Sequence, residues 1–76
     1  MPHYFFHIRN GSLSSQDDEG GEFDNFALAE HEAELSVREL IIEAVKCGDP
    51  ATGWKIEITD EDGKVLGLIP AGRVLH

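Results

Sequence analysis

A chain of 76 residues makes one domain, burying only roughly 60–65% of its unfolded surface, and its single cysteine, Cys47, rules out a disulfide framework. Fifteen Asp and Glu against six Lys and Arg give a formal net charge of −9. That balance argues against direct binding to nucleic acid or anionic membrane, both of which need clustered cations. A lone thiol fits a reducing compartment, no signal-peptide pattern opens the chain, and no apolar run nears the ~20 residues of a membrane span, so a soluble cytoplasmic protein is expected.

In chain order, residues 3–9 (His-Tyr-Phe-Phe-His-Ile-Arg) are aromatic and β-rich, and Asn10-Gly11 follows as a tight-turn signal. Alternation puts Tyr4, Phe6 and Ile8 on one face, the expected core side, and His3, Phe5, His7 and Arg9 on the other. Residues 12–21 are polar except for Leu13 and read as a short return strand or a turn, with Asp17–Gly21 as turn. A helix is predicted over 26–47: Asn25 (or Asp24) can cap its start, Glu22 and Asp24 place negative charge near its positive end, Gly48 suits a left-handed stop, and Pro50 blocks continuation.

At 100° per residue, Phe26, Ala29, Ala33, Val37, Leu40, Ile41 and Ala44 form one broad stripe, the core face. A second, narrower stripe lies nearly opposite: Leu28, Leu35 and Ile42, seven residues apart, flanked by His31, Arg38, Glu39 and Lys46. A helix lying on one sheet face has no need of it. After the helix, Trp54, Ile56 and Ile58 alternate with Lys55, Glu57 and Thr59, and Asp60-Glu61-Asp62-Gly63 turns the chain into a return strand that ends at Pro70, a hairpin over 54–69. One helix cannot bury two sheet faces. The expected fold is therefore α+β: a small antiparallel sheet in the order β-(β)-α-β-β with one long helix across one face.

No chemical site survives scrutiny of the residues. His3 and His7 share a strand face but stand about 13 Å apart by strand rise, and His31 and His76 lie elsewhere, so no metal site is expected. The turn Asp60–Gly63 begins like a calcium loop, yet the position that needs a bidentate Glu is Ala71. Asp17, Asp18, Glu19, Glu22 and Asp24 form an acidic cluster with no nucleophile or oxyanion donor beside it. Gly20-Gly21 lacks the lysine of a phosphate loop, and Cys47 sits at a helix C-terminus, where the dipole opposes a thiolate.

Taken together, Tyr4-Phe5-Phe6-His7, the Asp18-Glu19-Gly20 turn, Glu32-Ala33, Trp54, Ile58 and Asp60-Glu61 before Gly63 resemble a family of short uncharacterised bacterial proteins. That family, a domain of unknown function, is frequent in rhizobia and related alphaproteobacteria. The resemblance spans roughly residues 3–70; it implies a small stand-alone bacterial protein and carries over no activity. The polar stretch Ser12–Gln16 departs from the pattern.

The expectation is a non-enzymatic interaction module without cofactor, metal or small-molecule substrate. It would self-associate or bind a partner protein through Leu28, Leu35 and Ile42 with Arg38 and Glu39 beside them. The alternatives are an acidic antitoxin-like partner masking a basic protein, and a weak metal- or small-molecule-binding protein.

Overall fold

The computed structural model describes residues 2–11 and 13–74. Its organising strand is β1 (His3–Asn10), whose aromatic alternation fits the half-buried middle of a sheet. One edge of β1 pairs antiparallel with β2 (Leu13–Ser15) through Ile8–Asn10 and with β3 (Gly21–Glu22) through His3–Tyr4. The other edge pairs with β4 (Trp54–Thr59), from Phe5 opposite Thr59 to Asn10 opposite Trp54. β5 (Val65–Pro70) pairs antiparallel with β4 and forms the outer edge, giving the order β2-β1-β4-β5 with β3 beside β1. α1 (Phe26–Lys46) crosses one face, and a single 3-10 turn follows at Ala71–Arg73. The fold is α+β, as the residue pattern implies.

The polar stretch before the helix contains two short strands around a turn. Gly21, expected in the turn, belongs to β3 instead. Two residues joined to His3 and Tyr4 by backbone pairing leave no side-chain periodicity to announce them.

The helix begins where Asn25 accepts a hydrogen bond from the amide of Leu28 at 3.0 Å. It ends at Lys46, one residue earlier than its pattern suggests, because Cys47 leaves helical geometry and Gly48 takes a φ of +83°. The amide of Asp49 then reaches back to the Ala44 carbonyl at 2.9 Å, closing the end.

The broad stripe lies on the sheet: Ala29, Ala33, Val37 and Ala44 are buried, and Phe26, Leu40 and Ile41 pack partly buried beside them. Opposite stand Tyr4, Ile56, Ile58 and Ile69, with Phe6, Ile8 and Trp54 at the margin. Two alanines let the helix approach closely. Phe26 fills the space over Gly67, where a Cβ would come within 2.8 Å of its ring. The chain after β5 is tied to the helix by Arg73, whose guanidinium reaches Glu34 at 2.9 Å and Glu30 at 3.5 Å.

Candidate functional site

Three surfaces could carry function: the outward side of α1, the uncovered face and edge of the sheet, and the clefts between turns. On α1 the narrow stripe is solvent-facing. Leu28, Leu35 and Ile42 are 47%, 41% and 55% exposed, and Val45 adds a fourth exposed apolar side chain at its C-terminal end. His31, Glu32, Arg38, Glu39 and Lys46 border the stripe and are all exposed. Lys46 reaches Glu43 at 3.8 Å, whereas Arg38, Glu39 and Glu32 make no ion pair among the described residues.

The uncovered sheet face holds a network that the residue pattern does not reveal. Between β2 and β3 the edge of β1 is left without a strand, and Asp17 fills the gap. Its Oδ2 accepts from the amide of Phe6 at 3.1 Å, while its Oδ1 accepts from the amides of Glu19 at 3.2 Å and Gly20 at 3.0 Å. Its own amide donates to Nδ1 of His7 at 3.1 Å. An N–H donor there requires a lone pair on Nδ1, so the hydrogen of neutral His7 sits on Nε2 and is donated to Thr59 Oγ1 at 3.1 Å. Thr59 is 3% exposed.

His3 is engaged as well, its Nε2 standing 2.7 Å from the Glu19 carbonyl. The rings of His3, Phe5 and His7 follow one another along the face, centroids 5.0 Å and then 6.4 Å apart. These side chains hold the loop 16–20 onto the sheet. The acids of this stretch suggest a turn, but the open gap in β1 that Asp17 plugs is a tertiary fact.

Burial alone would raise the Asp17 carboxyl, but the amides of Gly20, Phe6 and Glu19 hold it below the usual carboxylate range. A carboxylate whose folded value is depressed stabilises the fold fully above about pH 4 and loses that contribution as pH falls through the folded value. Urea unfolding followed from about pH 7 to about pH 3 should therefore show a drop in wild-type stability below about pH 4 that is shallower in Asp17→Asn.

Val65, Leu66 and Leu68 of β5 are exposed, at 53%, 39% and 45%. The continuous run Val-Leu-Gly-Leu-Ile conceals which of its members face outward. A register shift at Ile58/Thr59 interrupts the β4–β5 ladder, and Pro70 withholds an amide at the strand's end, two devices that blunt a sheet edge.

The clefts are shallow. One of about 330 Å³ lies between His3, Tyr4, Leu66 and the turn Asp60–Asp62. The Asp60 carboxylate is already occupied there, accepting from the amides of Asp62 and Lys64 at 2.9 Å each. Another, of about 150 Å³, is bordered by Ile8, Leu13, Ser14, Ser15 and Trp54, whose buried Nε1 has no acceptor among the described residues. Among the described residues no three His, Cys, Asp or Glu side chains are grouped to hold a metal ion, and no helix is long and apolar enough to cross a membrane. Cys47 is an exposed free thiol, and His76 lies outside the described residues.

No curated protein and no solved structure matches the chain. A family model matches residues 3–72, and the chain accordingly belongs to the family of the domain of unknown function DUF6894.

Proposed function

We propose that this domain is a non-enzymatic protein-interaction module, acting in a reducing compartment such as the cytoplasm, that packs the outward side of α1 against another helix. The observation that supports it is the exposure of Leu28, Leu35 and Ile42 in one line on the side of α1 away from the sheet. Scattered exposed leucines are ordinary on protein surfaces. Three aligned at heptad spacing and bordered by charges of both signs are the pattern of a helix–helix contact.

Magnitudes make the contact weak and reversible. Full burial of such a side chain is worth about 1.5–3 kcal/mol, so three that are half exposed, met by three like them, contribute roughly 4–9 kcal/mol. Association costs an estimated 4–15 kcal/mol, which leaves at most about 5 kcal/mol and a dissociation constant no tighter than roughly a few tenths of a millimolar.

The test is amide NMR of labelled protein, concentrated in buffer and, separately, placed in clarified cell lysate. Resonances of exposed residues between 28 and 46 should broaden in at least one setting, and Leu35→Glu should abolish the effect. Perturbation confined to β5, or none in either setting, would contradict the reading.

A further inference from the structure

We propose that the helix met by this stripe is α1 of a second copy, running parallel to the first about a two-fold axis, an inference that rests on the stripe being the working surface. The helical period and the charges decide the direction. Viewed along α1, His31, Arg38 and Val45 border the stripe on one side and Glu32, Glu39 and Lys46 on the other. In a parallel two-fold pair, residues of equal height meet and opposite borders face each other. Leu28, Leu35 and Ile42 then each meet their own counterparts. Arg38 stands against Glu39 of the second copy, twice by symmetry, and His31 stands against Glu32.

In an antiparallel pair centred on Leu35, like borders meet instead. Glu39 opposes Glu32 and Arg38 opposes His31, so carboxylate faces carboxylate. Charge complementarity therefore selects the parallel arrangement. Arg38 and Glu39 are neighbours in sequence and cannot face each other on one helix, and neither has an ion-pair partner among the described residues. A second copy supplies both partners. The spacing of seven drifts by about 20° per heptad on a straight helix, which fits a shallow left-handed crossing of two such helices. The sheets lie on the far sides of both helices and leave the contact open. The net charge of −9 on each copy opposes approach, an effect screened beyond about 8 Å at physiological salt.

Cysteine placement reads the geometry directly. Leu28→Cys, Leu35→Cys and Ile42→Cys, each made singly in a Cys47→Ser chain, are oxidised at high protein concentration. All three should form disulfide-linked dimers, because each residue meets itself. An antiparallel pair would separate the two copies of residue 28 by about 21 Å along the axis, far beyond disulfide reach. Crosslinking of Leu35→Cys alone overturns the parallel arrangement while leaving the stripe as the interface. Crosslinking at none of the three overturns the second copy as occupant, and the stripe is then judged by the lysate spectra alone.

Charge reversal gives an independent arm. Arg38→Glu or Glu39→Arg alone should weaken dimerisation about 5–30-fold, through two surface ion pairs lost and made repulsive, and the double exchange should restore it to within about threefold. Dimerisation strengthened by Glu39→Arg alone, or a double exchange weaker than either single, overturns the proposal.

Discussion

Asp17→Ala is expected to lower stability by about 2–4 kcal/mol. The carboxylate does the work of a missing strand segment, accepting the Phe6 amide of β1 at 3.1 Å in the gap between β2 and β3 and the amides of Glu19 and Gly20 of its own loop at 3.2 and 3.0 Å. Hydrogen bonds to a charged acceptor are worth about 1.5–3 kcal/mol each, and the Phe6 amide, part-buried, is the one water replaces least well. For a domain of this size each kcal/mol moves the melting temperature by about 4–8 °C, so a fall of roughly 10–25 °C should be seen by circular dichroism. Asp17→Asn should fall between wild type and Ala, since one carbonyl oxygen remains. A melting temperature unchanged in Asp17→Ala would show that loop 16–20 is not what holds this edge of β1.

Gly20→Ala is expected to cost a similar amount, about 2–4 kcal/mol, for a different reason. Gly20 has a φ of +65°, and an added Cβ would lie 2.5 Å from the Tyr4 carbonyl oxygen and 2.8 Å from Nε2 of His3. The left-handed conformation contributes about 1 kcal/mol of that, and displacing the strand backbone adds roughly 1–3 kcal/mol. Gly63→Ala isolates the first contribution, because Gly63 has a φ of +83° with no atom of the described residues within 4 Å of the added carbon. The expected loss there is about 1 kcal/mol. Equal losses at the two positions in chemical denaturation would remove the steric part of the explanation.

These two residues mark where the sequence stops being legible. Helix α1 and strands β1, β4 and β5 announce themselves through periods that a reader can project: Asn25 before Phe26, alternation at Trp54, Ile56 and Ile58, Gly48 and Pro50 as stops. The residues 13–22 do not, because what fixes them is distant. Asp17 is one acid among several until β1 presents an unpaired Phe6 amide to it, and Gly20 is one glycine of a pair until the Tyr4 carbonyl closes over it. The same holds for β5, whose unbroken apolar run does not show that Val65, Leu66 and Leu68 stay exposed. The outward stripe of α1 was legible because the helix, once placed, has two sides and only one sheet to cover.

That stripe carries the functional account, and sedimentation equilibrium of wild type beside Leu35→Glu tests it most directly. Wild type should show a weight-average mass rising reversibly with concentration from the 8.4 kDa monomer, while Leu35→Glu stays at the monomer mass with an unchanged melting temperature. Identical mass curves for the two proteins across the concentration range would contradict a second copy as the occupant of the stripe.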